Sequence, residues 1–219
     1  MTSVVEKKLI SHYRRLASKY DTRFSSYLDR VIAKIIEKTN LQPSDKILDI
    51  GCGTGELLIK MYRAEPRVGE LAGIDASEAM LRQAEKKLKN MSVVRLRHGD
   101  ILQLSYPKHY FNIITMTGVA HYLSEPDLRV VLENARECLM PGGRILVADI
   151  ASDSVAMRLG YILKRILDPA TISLYSMKSI TDLFVSAGFE VTDTELFHAG
   201  IFDLYLVKAQ PRESLKNTS

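Results

Sequence analysis

The sequence predicts an α/β protein: a doubly wound, mostly parallel sheet of seven strands, finished at one edge by an antiparallel C-terminal hairpin, with helices on both faces. Three observations carry this. Short apolar runs alternate with helix-period segments from Lys46 to Ile150, the pattern of parallel strands joined by helical crossovers. The first run, "KILDI", passes directly into glycines at every second position, "GCGTG". The last two strand-like runs, "EVTDTELF" and "FDLYLVKA", follow one another with no helix between them and therefore pair as a hairpin.

Taken in order, residues 5–39 read as helical, because Leu9, Tyr13, Leu16 and Tyr20, then Leu28, Val31, Ile32, Ile35 and Ile36, recur at helical spacing. Pro43 closes that region. A strand at 46–50 precedes a helix at 56–64. "LAGID" (71–75) precedes a helix from Ser77 to Lys89 with Met80, Leu81, Ala84 and Leu88 on one face. "VVRLRH" (93–98) ends in Gly99-Asp100. "YFNIITM" (110–116) is followed by a helix near 127–139 that stops at Pro141-Gly142-Gly143, and "RILVADI" (144–150) is the fifth strand.

The 219 residues fit one domain with a sizeable core. Its expected parts are an N-terminal helical arm or lid (1–40), a ligand-binding core (41–150), a substrate-cover insertion (151–180), a hairpin region (181–210) and a polar tail (211–219). The insertion carries an apolar stripe, Val155, Leu159, Ile162, Leu163 and Ile166, beside Arg158, Lys164 and Arg165. Hydrophobic residues at 46% and charged residues at 26% are ordinary globular composition. No apolar run approaches a membrane span, and the N-terminus lacks the features of a signal peptide, so a cytoplasmic protein is expected. Cys52 and Cys138 have no metal-ligand spacing, and no metal site is expected. Residues 1–38 hold nine Lys/Arg against four acids, a net +5 on a chain of net +4. That basic arm is either a solvated helix face or a contact for an anionic partner such as a phospholipid surface. No nucleic-acid module is present, no nucleic-acid partner is expected, and the oligomeric state is left open.

In open parallel sheets, ligands bind beyond the carboxyl ends of the strands. The glycine turn sits there, and glycines let the backbone turn sharply and approach a ligand closely. It is not a P-loop, because no Lys-Ser or Lys-Thr follows it. The dinucleotide fingerprint wants Gly or Ala where Glu56 stands, a poor neighbour for pyrophosphate. Asp49 lies just before the turn, which suits a ligand with a cationic part. Asp75 ends the second strand and could accept both hydroxyls of a ribose, since an ionised carboxylate has two acceptor oxygens. Asp100 ends the third and could accept from an adenine amino group. Ribose, adenine and a cationic tail describe S-adenosylmethionine.

"ILDIGCGTGEL" resembles the cofactor motif of class I S-adenosylmethionine-dependent methyltransferases, which have a Rossmann-like fold. "GIDASEAML", "HGDIL", "FNIITMTGVAHYL" and "LMPGGRILVADI" resemble the family's later segments in the same order. "HYRRLASKYD" resembles the N-terminal helix of its small-molecule branch, which includes quinone and phospholipid methyltransferases. The resemblance implies S-adenosyl-L-methionine as methyl donor, S-adenosyl-L-homocysteine as product, and a small-molecule acceptor. It implies Asp49 near the ammonium of the methionine part and the backbone of Gly51, Cys52 and Gly53 around that part. Asp75 would take the ribose, Ala76 and Met80 would flank the adenine, and Asp100 with Ile101 would hold its edge. Thr117 or Gly118 would lie near the sulfonium, and Tyr20 would close over the methionine end. His121 is the candidate general base, with Tyr13, Tyr122 and His12 as weaker candidates.

The turn "TMTGVA" lacks the Asn/Asp-Pro-Pro-aromatic motif used for amide and nucleobase nitrogens, and two cysteines are too few for a thiol relay. The expected function is therefore methyl transfer to O, N or C of a small apolar or amphipathic molecule, lipid-like or quinone-like. The rivals are a dinucleotide-dependent oxidoreductase and a non-catalytic cofactor-binding partner subunit.

Overall fold

The computed structural model describes residues 4–153, 173–200 and 202–212, with side chains from Ile10 onward. Seven strands form one sheet: β1 (Lys46–Ile50), β2 (Glu70–Asp75), β3 (Val94–His98), β4 (Phe111–Thr117), β5 (Leu139–Ile150), β6 (Phe189–Ala199) and β7 (Phe202–Pro211). Their order is β3-β2-β1-β4-β5-β7-β6. The first five pair in parallel, and β7 inserts antiparallel between β5 and β6. The order reverses between β1 and β4, so a crevice opens at their carboxyl ends, where the glycine turn begins. The expected seven-stranded sheet with its antiparallel edge hairpin is the sheet found.

Helices cover both faces. The arm consists of α1 (Val4–Leu16), a 3₁₀ turn (Ala17–Lys19), α2 (Tyr20–Arg23) and α3 (Ser25–Thr39). The crossovers are α4 (Glu56–Ala64), α5 (Glu78–Leu88) and α6 (Glu125–Cys138), and α7 (Met177–Ser186) precedes the hairpin. Alternation along the strands divides the core. Leu48, Ile50, Ile114 and Met116 face Leu128, Leu132, Ile180 and Phe184 of α6 and α7. Ile47, Leu71, Ile113 and Leu146 face Val31, Ile35, Leu58 and Ala84 of α3, α4 and α5. Parallel strands buried on both faces read as near-continuous apolar runs, as "KILDI" does.

Two details differ from the sequence expectation. The arm is not one helix: Phe24 leaves helical geometry (φ −112°, ψ 16°), so α1 and α2 lie over the strand ends while α3 packs on the sheet face. The fifth strand starts earlier than 144, because Leu139 already pairs with Phe111 and the ladder then shifts register around Pro141-Gly142-Gly143. Residues 154–172, which hold the expected apolar stripe and most of the cover insertion, lie outside the described residues.

The glycine turn is held by tertiary contact. The Gly51 and Cys52 N–H groups both donate to the Ile74 carbonyl, at 2.8 and 3.1 Å. Gly51 has φ +73°, and a Cβ there would lie 2.3 Å from Cγ2 of Val119. Left-handed backbone and steric overlap each disfavour any other residue, so Gly51→Ala is expected to destabilise by about 2 kcal/mol. A thermal melt should show a Tm lower by about 4–8 °C for a chain of this size. A melt unchanged within a degree would mean that the turn is not held in this conformation.

Candidate active site

Beyond the ends of β1, β2 and β4 lies a cavity of about 220 Å³. Gly51 and Gly53 form one wall. Asp75, Ala76, Ser77 and Met80 form the second, and Asp100, Ile101 and Leu102 the third. Thr117, Gly118 and Val119 come from the end of β4 and the turn after it. Ile10, Tyr13 and Tyr20 of the arm roof the cavity, and Tyr122, Leu123 and Asp127 complete it.

Asp75 organises the centre. One carboxylate oxygen accepts from the Gly53 N–H at 2.8 Å, and the other accepts from the Ser77 N–H at 2.8 Å. The side chain thus ties the glycine turn to the start of α5 while facing the cavity. Burial pushes its pKa up, and the two backbone donors and the nearby His98 pull it back. Asp100 begins a 3₁₀ turn (Ile101–Gln103) and accepts from the Leu102 N–H at 2.9 Å, which fixes the adjacent wall.

Asp49 is 3% exposed and does not line the cavity. It accepts from the Thr115 hydroxyl at 2.8 Å. Among the described residues no Lys, Arg or His forms an ion pair with it. Burial pushes its pKa from 3.8 to about 7. A buried carboxylate in this condition is stabilised by any cation that reaches it. Cys52 contributes backbone to the turn, but its side chain turns into the core, where a Cβ on Gly73 would lie 2.7 Å from its Sγ.

His121 is not on the cavity wall. It lies in a 3₁₀ turn (Ala120–Tyr122) and is 6% exposed. Its Nδ1 is 2.7 Å from one oxygen of Asp149, and its backbone N–H donates to the other oxygen at 3.0 Å. The imidazole lies against the ring of Tyr122, with centroids 3.8 Å apart and the planes tilted by 45°. The geometry makes His121 a brace for the turn, and Tyr122 is the residue that reaches the cavity.

The arm is fastened at two places. The Tyr13 and Tyr122 hydroxyl oxygens lie 2.8 Å apart. Asp21 accepts from the Thr54 hydroxyl at 2.5 Å and from the Lys87 ammonium at 2.7 Å, and Lys87 also reaches Glu56 at 2.9 Å. Ala17, Ala79 and Met80 pack together beneath Tyr13 and Tyr20. Glu56, where a dinucleotide turn would have its third glycine, therefore joins an ion network with Asp21. Two carboxylates beside the start of α4 oppose a pyrophosphate there.

Two basic residues of the arm are also occupied internally. Lys34 and Lys38 form ion pairs with Glu195 and Asp193 of β6. Arg14, Arg15, Lys19 and Arg23 stay exposed.

Val119, Leu123 and Asp127 are wall residues that the sequence did not single out. The signal for Asp127 was local: "SEPD" opens a helix, and the Ser124 hydroxyl caps it while donating to Asp127 at 2.6 Å. Nothing local, however, placed that helix start against the ends of β2 and β3.

The sheet order, with Asp75 at the end of β2 and Asp100 just beyond β3 beside one cavity, is that of a Rossmann-like methyltransferase fold. Residues 47–143 match the methyltransferase domain family. Among its relatives is the demethylmenaquinone methyltransferase of Alkalihalophilus pseudofirmus, 25% identical over 78% of this chain and 81% of that one. The enzyme of the same name from Staphylococcus saprophyticus is 28% identical over 61% of this chain, and the match spans 58% of the relative's length. The fold is shared with the YcgJ protein of Bacillus subtilis, at TM-score 0.71 and 19% identity over 85% of this chain and all of that one. It is also shared with a geranyl diphosphate methyltransferase solved with GPP and sinefungin, at TM-score 0.68 and 14% identity over 83% of this chain and 78% of that one.

Proposed function

We propose that this chain binds S-adenosylmethionine in the cavity and transfers its methyl group to a small apolar or amphipathic molecule with a quinone-like ring. The observation that carries the reading is the position of Asp75. Its carboxylate faces the cavity while fixing both the glycine turn and the start of α5. The demethylmenaquinone methyltransferase relatives favour the acceptor class.

The donor, when bound, supplies a methyl group on a sulfonium, an already activated leaving group. The protein's work is then alignment and exclusion of water. Asp75 would hold the ribose hydroxyls, with Asp100 and Ile101 at the adenine edge and Ala76 and Met80 beside its faces. Gly51, Cys52 and Gly53 would present backbone to the methionine part, with Asp49 behind them toward its ammonium. Thr117 and Gly118 would stand beside the reacting centre. Tyr20 and Tyr13 would roof it, keeping water out. Burial raises both phenols further above their ordinary pKa, so they stay neutral and can donate hydrogen bonds. Among the described residues no helix is long and apolar enough to cross a membrane. Contact with an anionic membrane surface would fall to Arg14, Arg15, Lys19 and Arg23.

Calorimetric titration with S-adenosylmethionine, S-adenosylhomocysteine and NAD tests the cofactor. The first two are expected to bind and NAD to give no heat. Binding of NAD alone would install the dinucleotide-dependent reading in its place. Turnover of a reduced quinone by the isolated chain would exclude a non-catalytic partner role.

A further inference from the structure

Two tyrosine hydroxyls 109 residues apart in the sequence meet at the cavity wall. Tyr13 comes from α1 and Tyr122 from the turn after β4, with oxygens 2.8 Å apart and rings edge-on at 86°. Tyr13 packs against Met80, the same cavity wall carries Ile10, Val119 and Leu123, and Asp75 lies close enough to Tyr13 to act on it electrostatically. Each wall carboxylate already accepts from a neighbour, Asp75 from Gly53 and Ser77, Asp100 from Leu102 and Asp127 from Ser124, and keeps further lone pairs for a ligand. The cavity thus offers an acidic side to a polyhydroxyl, cationic ligand. At the Tyr13–Tyr122 pair it offers neutral hydroxyls framed by aromatic and branched aliphatic groups.

Both rings are held in place before any ligand arrives. Behind Tyr122 stands His121, fixed by Asp149 at 2.7 Å. Beside Tyr13 stand Tyr20 and His12, with ring centroids 5.9 and 5.5 Å away. Preorganised hydroxyls lose little entropy when they bind, so their hydrogen bonds go into selectivity. A hydroxyl can both donate and accept, so the pair suits an oxygen that is itself a hydroxyl or a carbonyl.

We propose that the Tyr13–Tyr122 hydroxyl pair is the acceptor-oxygen site: it exchanges its mutual hydrogen bond for two bonds to one hydroxyl or carbonyl oxygen on an aromatic ring. The proposal rests on the methyltransferase reading of the same cavity. Tyr13 and Tyr122 are then specificity-determining residues, and they discriminate by an oxygen that the acceptor must carry. A site built to bond an oxygen rejects the analogue that lacks it, because its own polar groups are left unpaired.

The test uses the full chain saturated with S-adenosylhomocysteine, titrated with 1-naphthol and with naphthalene. Wild type is expected to bind 1-naphthol at least about tenfold more tightly, close to one good hydrogen bond. Tyr13→Phe and Tyr122→Phe are each expected to weaken 1-naphthol binding by at least about fivefold and to leave naphthalene and S-adenosylhomocysteine affinities within about twofold. Tyr62→Phe, on α4 outside the cavity, is expected to change none of the three. Equal affinity of wild type for the two probes, or no binding of 1-naphthol, overturns the proposal. So does a loss of S-adenosylhomocysteine affinity in the two variants that equals their loss for 1-naphthol, since the pair would then be part of the cofactor's cover. Failure of wild type to bind S-adenosylhomocysteine overturns the underlying methyltransferase reading instead.

Discussion

Asp75→Ala is expected to weaken S-adenosylhomocysteine binding by at least about a hundredfold. The carboxylate stands on the cavity wall, and each of its two oxygens keeps a lone pair beyond the backbone N–H it accepts, enough for the two hydroxyls of one ribose. Bonds to a charged acceptor are worth about 1.5–3 kcal/mol each, so the pair together exceeds the ~2.7 kcal/mol of a hundredfold change. The substitution also releases the Gly53 N–H and the Ser77 N–H, each 2.8 Å from the carboxylate, so the turn loses its tie to α5. Asp75→Asn separates the two effects. The amide keeps one acceptor oxygen for the turn but offers donors where a second acceptor is needed, so an intermediate loss is expected. Calorimetry on the three proteins decides. If the alanine variant binds within threefold of wild type, Asp75 does not hold the ribose and the placement of the cofactor in this cavity falls.

The acidic residues at the strand ends were legible because each lies next to its own structural signal. Asp49, Asp75 and Asp100 follow or end apolar runs, and a glycine or helix start comes within a few residues of each. Chain direction and the rule that crevices open at carboxyl ends then place them together. The arm was legible as helix but not as a bent strap, because no glycine or proline marks the break at Phe24. The bend is set instead by what α1, α2 and α3 pack on: Tyr13 on Tyr122, Asp21 on Thr54 and Lys87, Val31 and Ile35 on the sheet. His121 was legible as a polar residue beyond β4, while its orientation depends on Asp149, 28 residues later on the neighbouring strand. Periodicity along one segment carries no information about such a partner. Cys52 shows the same limit in a smaller space, since the direction of its side chain is set by the bare Cα of Gly73 on β2.

Cofactor affinity is expected to rise with pH between about 5 and 7.5, and Asp49→Asn is expected to abolish most of that rise. Burial is the main cause of the raised pKa of Asp49, from 3.8 to about 7; the Thr115 hydrogen bond lowers it, and the charge of Asp75 raises it. With a folded pKa above the unfolded one, the fold favours the protonated acid. The contribution of this group to stability is fully present below about pH 4 and is lost as pH rises through about 7. A difference near three pH units corresponds to about 4 kcal/mol at most, an order-of-magnitude figure for so buried a group. Urea unfolding of the ligand-free protein should therefore show wild type losing stability from pH 4 to 8 relative to Asp49→Asn. Ligand binding reverses the sign. An ammonium near Asp49 favours the ionised carboxylate, so binding below pH 7 expels a proton. Titrations of S-adenosylhomocysteine at pH 6 in two buffers of different ionisation enthalpy should differ in heat for wild type and agree for the variant. Identical pH slopes in the two proteins would show that Asp49 does not face the ligand's cation, and the buried carboxylate would then be a structural partner of Thr115 alone.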